Sequence, residues 1–84
     1  MNRRRLLIRI LNRSRNVSFD DMVNLVRGFG FRLVRTQGSH HIFSHPDLPE
    51  LLNLQEFGGK AKPYQIQQFL KLVEKYNLRL EDES

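Results

Sequence analysis

The change of hydrophobic rhythm at Gly28-Phe29-Gly30 does most to constrain how this chain folds. Before it, Phe19, Met22, Val23 and Val26 recur at i, i+3, i+4 and i+7, the spacing that gives a helix one apolar stripe. Ser18, with Asp21 three residues on, supplies an N-cap and an acid for the first turn. After it the period drops to two. Phe31, Leu33, Arg35 and Gln37 fall on one side of an expected strand, and Arg32, Val34 and Thr36 on the other. Glycine readily takes the left-handed conformation that closes a helix, so Gly-Phe-Gly is where helix gives way to sheet.

Around this switch the remaining elements fall into order. Residues 3–11 read as a short helix with apolar side chains on more than one side, ending before the polar stretch 12–16. Gly38-Ser39 supplies a turn or bulge, residues 40–44 return as a second strand, Asp47-Leu48-Pro49 turns again, and residues 51–54 form a short third strand. Residues 58–62 read as a loop, and Pro63 suits the first turn of a helix whose stripe is Ile66, Phe69, Leu70 and Val73, continued by Tyr76. The expectation is one α+β domain over residues 1–84, with residues 1–16 a helical N-terminal extension and 79–84 an acidic, frayed tail. The order α-α-β-β-β-α predicts a three-stranded antiparallel meander with helices on one face. A chain this short buries on the order of 60–65% of its unfolded surface, which leaves little room for a large pocket.

The absence of cysteine excludes a disulfide framework and any thiolate nucleophile or metal ligand. No long apolar stretch reads as a signal or membrane segment, so the expected compartment is the cytoplasm. The net charge is +5, unevenly spread. Residues 1–45 hold nine arginines against Asp20 and Asp21, whereas residues 46–84 hold more acids than bases. A one-sided cationic field attracts polyanions, because neutralising phosphates releases condensed counterions. Solubility alone is the plainer use of such charge.

All three histidines lie in Gly38-Ser39-His40-His41-Ile42-Phe43-Ser44-His45-Pro46. Imidazole, with an unperturbed pKa of about 6.5, both takes and gives a proton near neutral pH, so this run is where acid–base chemistry is possible. Metal-free RNA cleavage needs a base for the 2′-hydroxyl, a cation for the pentavalent phosphate and an acid for the leaving 5′-oxygen. A histidine beside the Gly-Ser turn and an arginine on the neighbouring strand can fill the first two roles. Successive strand residues face opposite ways, so only one of His40 and His41 can face a given phosphate unless a bulge intervenes. His45, held extended before Pro46, reads as a turn residue. His41 and His45 would lie roughly 13 Å apart on a strand, too far to share a metal, and no metal site is expected.

Among the cations, Arg32 and Arg35 on the strand next to the histidines are candidates for phosphate contact, and Arg3, Arg4 and Arg5 read equally well as a solvated helix start. Of the phenylalanines, Phe19, Phe29, Phe31, Phe43 and Phe69 fit the core pattern; Phe57 fits it least, and a base-stacking platform is the other use for such rings. Gly58-Gly59-Lys60 lacks the full phosphate-loop pattern.

The runs Gly28-Phe29-Gly30-Phe31, Arg35-Thr36-Gln37-Gly38-Ser39-His40-His41-Ile42-Phe43 and His45-Pro46 resemble the signature of the HicA toxins of bacterial toxin–antitoxin pairs, over about residues 19–76. The resemblance implies a fold like the double-stranded RNA-binding domain, cleavage of messenger RNA without a cofactor, and silencing by a HicB-like antitoxin. It points to the histidine of Gly-Ser-His, His40, as general base, while members with a single histidine one place later would align it with His41. Ser39 belongs to the same motif, and Lys60 and Lys62 resemble the basic loop before the family's last helix. The chain departs from the pattern in its N-terminal helical segment and in reading Leu54-Gln55-Glu56 where many members carry Pro-x-His. Two other functions fit the residues: a catalytically silent RNA-binding module, and a protein whose basic surface docks an acidic antitoxin-like chain.

Overall fold

Helix α2 (Phe19–Gly28) forms where capping and periodicity agree: the Ser18 hydroxyl accepts from the Asp21 amide, and Phe19, Met22, Leu25 and Val26 are buried along one stripe. The computed structural model describes residues 2–13 and 15–81. Ahead of α2 lies α1 (Arg3–Leu11), which buries Leu6 and Ile10 and ties itself to α2 through two hydrogen bonds from the Arg3 guanidinium to the Asn24 side-chain oxygen Oδ1, 2.7 and 3.0 Å long. After α2 come β1 (Arg32–Gln37), β2 (His40–His45), β3 (Leu48–Phe57), β4 (Lys60–Ala61) and α3 (Pro63–Tyr76).

The four strands form one antiparallel sheet in the order β1-β2-β3-β4, so the expected three-stranded meander gains a fourth member. Its origin is the turn at Gly58 and Gly59, whose φ values of 59° and 78° make a two-residue hairpin between Phe57 and Lys60 where the sequence read as a loop. β4 is short, but it anchors the approach to α2: the Phe19 amide donates to the Gly59 carbonyl and the Ala61 amide to Val17. β3 also runs longer than the expected 51–54. Pro49 lies inside it, where the register against β2 shifts between Phe43 and His45, so the missing proline N–H interrupts no regular ladder.

Helices cover one face of this sheet. Phe43, His45, Leu48, Leu52 and Leu54 point to that side and are buried with Phe29, Phe31, Ile66 and Phe69. On the open side, β3 presents Leu51, Asn53, Gln55 and Phe57 by alternation. The far end of α3 is pinned to β3 by Glu50, which accepts from the Tyr76 hydroxyl and pairs with the Lys75 ammonium at 2.7 Å. These two donors, Lys75 foremost, hold the Glu50 carboxyl below the usual carboxylate range.

The chain then returns along α2, with Leu78 and Leu80 partly buried and the Glu81 amide donating to the Gly28 carbonyl at 2.6 Å. The expected frayed tail is thus docked as far as Glu81, and Asp82, Glu83 and Ser84 lie outside the described residues. No helix among the described residues is long and apolar enough to cross a membrane.

Strand β1 departs from the simple alternation read from its sequence. Arg32 pairs with Ser44 and Leu33 with Phe43, but Arg35 pairs with Ile42, leaving Val34 as an extra residue. Such a bulge turns the residues before it over, so Arg32 joins Arg35 and Gln37 on the open side of the sheet instead of facing away from them.

Candidate active site

The Gly-Ser turn decides which histidine faces outward. Gly38, at φ 61°, closes the β1–β2 hairpin, and from it the register runs without interruption: Gln37 with His40, Thr36 with His41, Arg35 with Ile42. No bulge separates the two histidines, so they take opposite faces. His40 is exposed on the open face, its Nδ1 lying 3.1–3.2 Å from the side-chain amide of Asn53. When Oδ1 of that amide faces the ring, Nδ1 carries the proton and Nε2 is left with a free lone pair.

His41 turns toward the helices. Its ring lies against Phe19 with centroids 4.7 Å apart, and its Nδ1 is 3.1 Å from the Ser39 carbonyl. His45 is buried at the end of β2, paired with Leu48 rather than standing in the turn, and has no free nitrogen. Nε2 lies 2.9 Å from the Phe29 carbonyl and so donates, while Nδ1 accepts from the Asp47 amide at 3.0 Å. Gly30 makes room for this ring: it sits at φ 96°, and a Cβ there would stand 2.9 Å from His45 Nε2. Of the three histidines, then, His40 is the one presented to solvent on the open face.

Around His40 the sheet assembles polar and cationic neighbours. Gln37 and Gln55 lie directly across from it on either side, and the Gln55 amide reaches the Ser39 hydroxyl at 3.3 Å. The Ser39 carbonyl accepts from the Glu56 backbone N–H, and the Gln65 side chain accepts from the Gln55 backbone N–H, fixing the turn and β3 against α3. Arg35 is two pairs further along β1; Arg32, opposite Ser44, is four residues along β2 from His40, roughly 13 Å away at strand spacing. On the other side Lys60 lies opposite Phe57, and the Lys62 ammonium stands 5.4 Å from the Phe57 ring centroid. The acids of β3, Glu50 and Glu56, fall on the helix side of the alternation, so the open face gathers cations unopposed by strand carboxylates.

The fold therefore brings Arg35, Ser39, His40 and the lysines of β4 and its exit onto one side and separates them from His41. Asn53 and Gln55 were not singled out in the sequence. Their signal was the alternation Leu52-Asn53-Leu54-Gln55, which puts amides on the face opposite two buried leucines. No three His, Cys, Asp or Glu side chains gather as a metal cluster among the described residues.

Comparison with curated proteins and with solved structures returned no match. The family model for the HicA toxin of bacterial toxin–antitoxin systems matches residues 19–74, from the first residue of α2 nearly to the end of α3. α1 lies outside that span. With the Gly-Ser-His turn, the sheet and both flanking helices inside it, the chain belongs to the HicA toxin family.

Proposed function

We propose that this toxin is a ribonuclease that cleaves messenger RNA with His40 as general base, in the cytoplasm, and that a HicB-like antitoxin silences it. The observation that carries this reading is the placement of His40, exposed on a cationic sheet face free of strand carboxylates with Nδ1 on Asn53. In the proposed step Nε2 takes the proton of a 2′-hydroxyl, and the 2′-oxygen attacks the adjacent phosphorus as the bond to the 5′-oxygen breaks. Arg35 supports the charge that builds on the phosphoryl oxygens, Ser39 and the lysines at 60 and 62 hold the strand, and the leaving oxygen takes its proton from water. The products carry a 2′,3′-cyclic phosphate and a 5′-hydroxyl. Asn53 is a positioning residue: it fixes the ring and its tautomer.

Replacing His40 by alanine tests this directly. Loss of a general base costs roughly 10²–10⁴-fold in rate, whereas an exposed ring contributes little to the fold, so cleavage falls while RNA binding and melting stay near parental. His41→Ala keeps the chemistry and loses packing on Phe19. Equal cleavage by parent and His40→Ala, or cleavage abolished by chelator and restored by magnesium or zinc, overturns the mechanism. A parent that binds RNA and never cuts it is a silent RNA-binding module.

A further inference from the structure

Five of the six phenylalanines are buried in the core, each 7% exposed or less. Phe57 is 70% exposed, a ring with no polar atom of its own left in water at the end of β3. Its position is not random with respect to His40. Gln55 pairs directly with His40, and Phe57 is two residues further on the same face, about 8 Å from His40 between Cα positions by strand spacing. A base next to a phosphate held at His40 is therefore within reach of the ring.

The ring is also prepared on one side only. The Lys62 ammonium stands 5.4 Å from its centroid, and with the residue 70% exposed the rest of the ring surface is open to solvent. An aromatic ring flanked by Lys60 and Lys62 on a cationic sheet face is what single-stranded nucleic acid requires: charge for the backbone and a flat apolar surface for a base.

We infer that Phe57 is a stacking platform for the base next to the scissile phosphate, with Lys62 setting the ring from behind. The inference rests on the proposed RNA reading and adds to it a residue that positions the substrate by base stacking rather than by charge. Stacking of one base is sequence-tolerant, so the platform sets the register of the strand against His40 more than its sequence.

The test uses a short single-stranded 2′-O-methyl RNA, which has no free 2′-hydroxyl and cannot be cut by this route. The parent binds it. Phe57→Ala weakens binding roughly 5- to 150-fold and Phe57→Trp restores it. Walking an abasic nucleotide along the oligonucleotide finds one position that costs the parent a similar factor and costs Phe57→Ala nothing. If Phe57→Ala binds as the parent does, or feels the same abasic penalty, the platform is refuted while the ribonuclease reading stands. A parent that binds no RNA removes both. If Phe57→Ala loses the antitoxin and keeps its RNA affinity, the ring belongs to a protein interface and the inference fails.

Discussion

Replacing His45 by alanine removes two hydrogen bonds and an aromatic contact from the one buried histidine. The Phe29 carbonyl loses its donor in a residue 2% exposed, which at about 1–3 kcal/mol is the largest part of the loss. The Asp47 amide sits in an exposed residue and rehydrates, so its bond contributes about 0.5–1.5 kcal/mol. The edge contact with Phe31, centroids 5.1 Å apart, adds about 0.5–1.5 kcal/mol. Together these predict a loss of about 2–6 kcal/mol, and at roughly 4–8 °C per kcal/mol a fall in Tm of at least about 8 °C. Urea unfolding followed by circular dichroism measures it, with His40→Ala as a control expected to lose less than about 1 kcal/mol. Gly30→Ala sharpens the test. In the parent its Cβ drives the ring off the Phe29 carbonyl; in the His45→Ala background only the positive-φ penalty of about 1–2 kcal/mol remains, so the two changes are less than additive. A His45→Ala loss under 1 kcal/mol, or strict additivity with Gly30→Ala, refutes the assignment of His45 to structure.

Two further outcomes are expected. For single-stranded RNA, alanine at Arg32, Arg35, Lys60 or Lys62 lowers the slope of log affinity against log salt by about 0.7 each, but only Arg35→Ala also slows cleavage of bound RNA; an unchanged slope in all four places the RNA elsewhere. Glu50→Gln flattens the acid limb of stability: its lowered carboxyl contributes stability that is present above the ordinary value of 4.5 and lost as pH falls through the folded value. Urea midpoints measured from pH 3 to 6 that decline equally in parent and variant refute this.

What could be read in advance was local. Helix α2 carries its cap, stripe and glycine stop within a dozen residues, and the Gly-Ser hairpin its turn signal beside an alternating run. What could not be read depended on partners distant in sequence. Every residue of β1 is exposed, so burial leaves no imprint from which to place the extra residue at Val34, and plain alternation puts Arg32 on the wrong side. Pro49 looked like a turn because the register shift that accommodates it belongs to the pairing of β2 with β3. Asn53 becomes the neighbour of His40 only through the same pairing, thirteen residues away in sequence. His40 and His41 were equivalent as residues; the uninterrupted hairpin register is what distinguishes them.

The extra residue in β1 has a second effect. β1 is an outer strand of the sheet, with a row of backbone donors and acceptors along the side turned away from β2. Such a row recruits other strands, and six exposed residues would otherwise give them a flat template. Val34 breaks the repeat in the middle, and Arg32 and Arg35 stand either side of the break as like charges facing any second copy. The strand that carries these arginines is thereby a poor seed for edge-to-edge aggregation.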